Sequence, residues 1–261
     1  MPYLLTIDAG NTNTVLGIHQ GAELKAHWRL TTRREQTADE YGILVRNLFA
    51  ASGIEPSQIG GIALASVVPP LTPVLVTLAR HYLGQDPLVV EPGVRTGMPI
   101  LYEPPGDVGA DRIVNGVAAF AAYGGPVIVV DFGTATTFDV VTKKGEYLGG
   151  VICPGIGISA DALFQRAARL PRVDVRKPAT VIGRSTVGSM QSGLYFGYAS
   201  MVEGLIARIR AELGEPAKAV ATGGLAESMA ADIPSIEAVD PVLTLTGLRL
   251  IWERNRTSGG R

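Results

Sequence analysis

Cysteine is nearly absent: the 261-residue chain carries one, Cys153. A single thiol excludes an intrachain disulfide and any multi-cysteine metal site. It follows the apolar run Leu148 to Ile152, so its expected role is that of a small buried apolar side chain, not a nucleophile. Histidine is almost as sparse. His19, His27 and His81 lie far apart in sequence, and surface or half-buried structural positions are expected for all three. No apolar run approaches the roughly 18–20 residues that a membrane helix needs, and no charged leader precedes the first strand. The expected location is therefore cytoplasmic, with no membrane partner. Nor does charge of one sign prevail: 23 basic residues stand against 24 acidic ones. That balance gives no reason to expect nucleic acid or an anionic lipid surface as a partner. Short basic clusters, Arg33-Arg34 and Arg172 to Lys177, read as solvated faces and loops. Neither a Walker lysine loop nor a GxGxxG fingerprint occurs in a strand–helix context.

What is present is apolar content of 46% with 18% charged residues, the composition of a compact fold. The length predicts two packed domains. Strands are expected at 3–8 and 14–19 around a turn, with a third over Ala22 to Leu30. Tyr41, Leu44, Val45, Leu48 and Phe49 recur at helical spacing, and Gly53 stops that helix. A buried strand ends at Ser66, a helix covers 71–83, and a strand spans 87–92. The Gly- and Pro-rich stretch 92–110 reads as a loop, followed by a helix from Asp111 to about Tyr123. Strands are then expected at 126–131, 137–142 and 145–153, helices at 156–169 and 187–213, and a strand at 218–222. Helices near 225–231 and 241–253 close the order, and Thr257 to Arg261 is expected to fray.

The stretch LLTIDAGNTNTVLG, residues 4–17, has a counterpart in VIVVDFGTATTFDV, residues 127–140. Asp8, Gly10 and Thr14 map onto Asp131, Gly133 and Thr137 at one offset, 131 − 8 = 123. The repeat predicts a duplicated α/β chain, residues 1–117 and 118–255, each half a mixed sheet flanked by helices and carrying one acidic hairpin. Glycine at such a tip lets the main chain approach a ligand. Successive N–H groups with Thr or Asn side chains can gather around phosphate oxygens. An acid beside phosphates makes sense through a cation, and Mg²⁺ takes few protein carboxylates and keeps several waters. Ordinary turn chemistry would also use Asp and Asn here, but its recurrence in both halves favours phosphate binding.

Paired hairpins of this form resemble the actin, sugar-kinase and heat-shock-70 superfamily, in which two hairpins grip ATP phosphates between related, ribonuclease H-like domains. More narrowly, DAGNTNT (8–14), SVVPP (66–70), GADR (109–112), DFGTATT (131–137), PGIGIS (154–159) and TGG (222–224) are similar in kind and order to type III pantothenate kinase. That resemblance implies ATP-dependent phosphorylation of pantothenate to 4′-phosphopantothenate, the first step of coenzyme A biosynthesis. It implies ATP contacts from Asp8, Ala9, Gly10, Asn11, Thr12, Asn13 and Thr134, with Asp8 meeting Mg²⁺ through water. It further implies a monovalent cation, K⁺ or NH₄⁺, at Asp131. Pantothenate would meet Tyr102, Gly109, Ala110, Asp111, Arg112 and Thr186, with Asp111 as proton acceptor and Arg112 on the carboxylate.

Residue chemistry leaves alternatives beside these roles. Asp111 and Thr186 could be helix caps, Tyr102 a packed loop aromatic, and TGG either a plain turn or a close approach to adenosine. The resemblance implies a homodimer. Leu194, Tyr195, Met201, Leu205 and Ile209 would serve an interface or an intrachain core equally well. Two other functions share the hairpins: a kinase for another small hydroxy or carboxylate substrate, and a nucleotide-switched regulatory protein.

Overall fold

The computed structural model describes residues 2–256; the end expected to fray, Thr257 to Arg261, lies outside them. Two compact units form. The described residues up to Ala118, with those from Leu243 onward, make the first, and Ala119–Val242 makes the second.

In the first unit, β1 (Tyr3–Ala9), β2 (Asn13–Gln20) and β3 (Glu23–Thr31) are joined by α1 (Ala38–Ala51), β4 (Ile59–Ser66), α2 (Thr72–Leu83) and β5 (Leu88–Val89). The sheet order is β3-β2-β1-β4-β5. The first three strands are antiparallel, and β4 and β5 add in parallel. Helix α1 starts where the sequence supplies a capping box: Thr37 accepts the Glu40 N–H and Glu40 accepts that of Thr37. Its buried Tyr41, Val45 and Phe49 pack with Leu5, Ile7, Leu16, Ile18 and Leu64 in one core. Helix α3 (Ala110–Tyr123) then carries the chain towards the second unit.

The second unit repeats the plan. Strands β6 (Val127–Phe132), β7 (Ala135–Val141) and β8 (Tyr147–Pro154) are followed by α4 (Ile156–Arg166) and α5 (Thr186–Leu213). Then come β9 (Lys218–Thr222), α6 (Ala226–Ala230) and β10 (Ile236–Val239). Its order, β10-β9-β6-β7-β8, is the first sheet's order with each strand replaced by its counterpart. The apolar residues of α5 serve this unit's own core. Leu194 and Tyr195 are buried in it, and Met201, Leu205 and Ile209 pack against it. Cys153 also packs there, half-buried.

The last helix, α7 (Leu243–Arg256), departs from the expected division at 1–117 and 118–255, because it belongs with the first unit. Its Leu243, Leu245, Leu248 and Ile251 are buried. Trp252 lies over Gly61 of β4, where any side chain would collide with the indole. Among the described residues no helix is long and apolar enough to cross a membrane.

Candidate functional site

The first hairpin turns through Gly10, Asn11 and Thr12 between Ala9 and Asn13. The N–H of Gly10 donates to the Asn13 carbonyl at 3.0 Å and closes the tip. Asn11 and Thr12 are exposed, whereas Asp8 is half-buried at the end of β1. The second hairpin is one residue tighter. Ala9 lies opposite Thr14 in the first, and Phe132 lies opposite Thr136 in the second. The offset that begins as 131 − 8 = 123 therefore becomes 136 − 14 = 122 beyond the tip. This corrects the expected equivalence of Thr14 with Thr137. A one-residue register change turns every following side chain to the other face, and Thr14 and Thr136 are accordingly the buried pair. Thr137 instead donates to Asp139 at 3.2 Å, a buried carboxylate that also accepts the Tyr147 hydroxyl at 2.7 Å.

The GADR corner lies at the same end of the first sheet as Asp8. After β4 the Val67 N–H donates to the Ala9 carbonyl at 3.0 Å. A Cβ on Gly109 would stand 3.6 Å from the Val67 side chain and 2.6 Å from Asp111 Oδ1. Glycine at 109 therefore leaves room for the Asp111 carboxylate. Helix α3 begins at Ala110, so Asp111 occupies the second helical position and is not the cap. Its Oδ1 accepts the Arg112 N–H at 2.8 Å, and the helix macrodipole favours a negative charge there. Arg112 is buried. One turn along the helix, buried Asn115 accepts the Thr244 hydroxyl of α7 at 2.7 Å. Tyr102 is half-buried in the loop that leads into this helix.

In the second unit, Asp131 is half-buried at the end of β6, and Thr134 is exposed at the tip. Gly133 and Gly223 both leave the main chain close to Asp131 Oδ1, and Gly223 has φ +93°. The TGG segment thus approaches the hairpin carboxylate itself. Thr186 is the first residue of α5, whose cap is Ser185, accepting the Gly188 N–H at 3.1 Å. The Thr186 side chain instead helps line a cavity of about 530 Å³ with Leu163, Leu170, Ser189, Met190, Gly193 and Leu194.

The structure brings Asp8 to Asn13, Gly109, Ala110, Asp111 and Arg112 to one end of the first unit. Asp131 and Thr134 share the second hairpin, and Thr186 heads α5 of the same unit. Sequence reasoning gave no role to Thr32 or to Gly155 of the PGIGIS motif; their N–H groups donate to the Thr12 carbonyl at 2.9 Å and the Thr134 carbonyl at 3.1 Å, bracing the two tips. Their signal is positional, since each directly follows the third strand of its unit.

A family model described as type III pantothenate kinase matches residues 4–208. A type III pantothenate kinase from Moorella thermoacetica is 58% identical over 252 residues, covering 97% of this chain and 99% of that one. One from Koribacter versatilis is 57% identical over 265 residues, covering 98% and 97%. Component A of (R)-2-hydroxyglutaryl-CoA dehydratase from Acidaminococcus fermentans superposes with a TM-score of 0.59 at 14% identity. It covers 98% of this chain and 100% of its own, a likeness of fold alone.

Proposed function

The chain belongs to the type III pantothenate kinase family, and from that premise we propose how its residues divide the work. The enzyme phosphorylates pantothenate with ATP to give 4′-phosphopantothenate, the first step of coenzyme A biosynthesis. Its fold is the duplicated ribonuclease H-like fold of actin-like ATPases and sugar kinases. The full-length identity to named relatives carries the substrate assignment. The residue roles are our reading.

Asp111 accepts the proton of the pantothenate hydroxyl as the γ-phosphoryl group transfers. Transition states of this kind are loose, so placing the hydroxyl matters more than the strength of the base. The pinning of Asp111 Oδ1 by the Arg112 N–H supports that placement. Arg112 grips the substrate carboxylate through its guanidinium fork, and Tyr102, Gly109, Ala110 and Thr186 complete the substrate contacts. Asp8, Ala9, Gly10, Asn11, Thr12, Asn13 and Thr134 hold the nucleotide phosphates.

Mg²⁺ fits Asp8 through water, because one half-buried carboxylate beside exposed Asn11 and Thr12 suits an ion that keeps its hydration shell. Among the described residues no group of three His, Cys, Asp or Glu side chains could cage a metal. A monovalent cation, K⁺ or NH₄⁺, fits Asp131, where two glycines bring main chain close to the carboxylate. When bound, both ions offset triphosphate charge. We also assign a homodimer, supported by exposed Ile152, Val181 and Ile182, and a cytoplasmic location, where ATP is available. Incubation with ATP, Mg²⁺ and pantothenate, with K⁺ or Na⁺, followed by mass detection of 4′-phosphopantothenate, tests the reading. Product is expected with K⁺ and much less with Na⁺. Equal rates would remove the cation from Asp131.

A further inference from the structure

Thr32, the residue after β3, makes three contacts with the first hairpin. Its N–H donates to the Thr12 carbonyl at 2.9 Å. Its hydroxyl donates to the Gly10 carbonyl at 2.7 Å, and its Oγ1 lies 2.9 Å from that of Thr14. A hydroxyl carries one proton. Thr32 directs its own to Gly10, so Thr14 must be the donor of the third bond. The relay thus runs from fully buried Thr14 through Thr32 to the main chain of the tip.

Peptide planarity gives this relay a consequence. In a trans peptide, C=O and N–H point in opposite directions. Holding the Gly10 carbonyl therefore turns the Asn11 N–H away from Thr32, and holding the Thr12 carbonyl does the same for the Asn13 N–H. Arg34, two residues on, donates to the Asn11 side chain at 3.3 Å. The second unit braces its tip from the corresponding place by other means. Gly155 follows β8, and its N–H donates to the Thr134 carbonyl at 3.1 Å. A Cβ at 155 would collide with that carbonyl. A strand that merely ends needs only the backbone bond, so the added hydroxyl pair at Thr32 calls for another explanation.

We propose that Thr32 is a positioning residue for the phosphate-binding tip, acting through the Gly10 and Thr12 peptides and not on ATP itself. The proposal rests on the reading of residues 8–13 as phosphate ligands. Donors that converge on an anion lose their advantage when they slip by a fraction of an ångström, so loss of the hydroxyl should be felt in nucleotide binding.

The test compares Thr32→Val, which removes the hydroxyl at constant shape, with Thr32→Ser, which keeps it. For Thr32→Val the KM for ATP should rise roughly five- to tenfold, with the pantothenate KM little changed and the melting temperature a few degrees lower, because buried Thr14 loses its acceptor. Thr32→Ser should stay within about twofold of the parent. An unchanged ATP KM in Thr32→Val overturns the proposal. So does an equal defect in Thr32→Ser, or a parallel rise in both KM values. Should Thr32→Val not fold, Thr32→Ala carries the same comparison. Asn11→Ala separates the two layers of inference. If it weakens ATP binding while Thr32→Val does not, only the brace fails; if neither does, the phosphate reading of the hairpin fails with it.

Discussion

At the residue scale, Asp111 and His19 make opposite demands on their surroundings. Asp111 sits half-buried at the head of a helix, with one oxygen occupied by the next N–H. Asp111→Asn keeps the shape and removes the base. Phosphoryl transfer should fall by about 100-fold or more, while nucleotide binding by calorimetry stays near the parent value. Turnover close to that of the parent would take the role of base away from Asp111. His19 sits within the first sheet, 2% exposed, and neither ring nitrogen has a hydrogen-bond partner among the described residues. Burial, and then the nearby Arg249 charge, lower its pKa from 6.5 to about 4. The neutral imidazole is therefore the folded form, and the unfolded chain takes up the proton first. Stability is full above about pH 6.5 and falls as pH drops towards 4, by roughly 2 kcal/mol at pH 5. His19→Leu should flatten that slope. Chemical unfolding of both proteins at pH 7 and pH 5 measures it, and parallel slopes would exonerate His19.

At the element scale, each unit braces a hairpin tip from the end of its third strand, and the two braces differ in what they tolerate. At Gly155 a side chain has no space, because the Thr134 and Gly133 carbonyls lie where a Cβ would go. Gly155→Ala should shift the second tip and lower kcat/KM for ATP by about tenfold. Gly157→Ala, inside α4 with nothing near its Cβ position, should be neutral or slightly stabilising. Steady-state rates with ATP as the varied substrate compare the pair, and equal behaviour would remove Gly155 from the brace. The hairpins themselves were legible because Asp-x-Gly at the end of an apolar strand is a local pattern. Their register was not. The doubled Thr136-Thr137 lets a one-residue shorter tip pass as an unbroken repeat, and only strand pairing shows which threonine turns inward. Burial of His19 was hidden for a related reason. The run Leu16 to His19 is buried on both faces of β2, so alternation gives no sign of which side chain meets solvent. Thr32 lay in a polar run, TTRREQT, that reads as loop, and its hydroxyl matters through a partner 22 residues away.

At the scale of the whole molecule, the duplication was legible and the return of the chain was not. Helix α7 joins the first sheet because β4 keeps glycine under Trp252 and α3 offers Asn115 to Thr244. Such tertiary matches leave no periodic trace. The same accounting redirects the search for a dimer surface. Leu194, Tyr195, Met201, Leu205 and Ile209 of α5 are taken up by their own unit's core, so they have little left to offer a partner. Apolar side chains left in water lie elsewhere in the second unit. Val181 and Ile182 precede α5, 65% and 80% exposed, and Ile152 lies on the open edge strand β8. Exposed aliphatic groups of this kind mark contact surfaces when they cluster, and neighbouring Val181 and Ile182 are the most exposed of them. If the enzyme is a homodimer through this segment, light scattering should report about twice the 27.4 kDa chain mass. Val181→Asp with Ile182→Asp should then shift it towards the single-chain value at micromolar concentration, because a desolvated carboxylate in an apolar contact is costly. A parent protein that scatters as one chain would end the homodimer assignment. A double variant that stays paired would move the interface to the face of β8 that carries Ile152, where Ile152→Asp repeats the test.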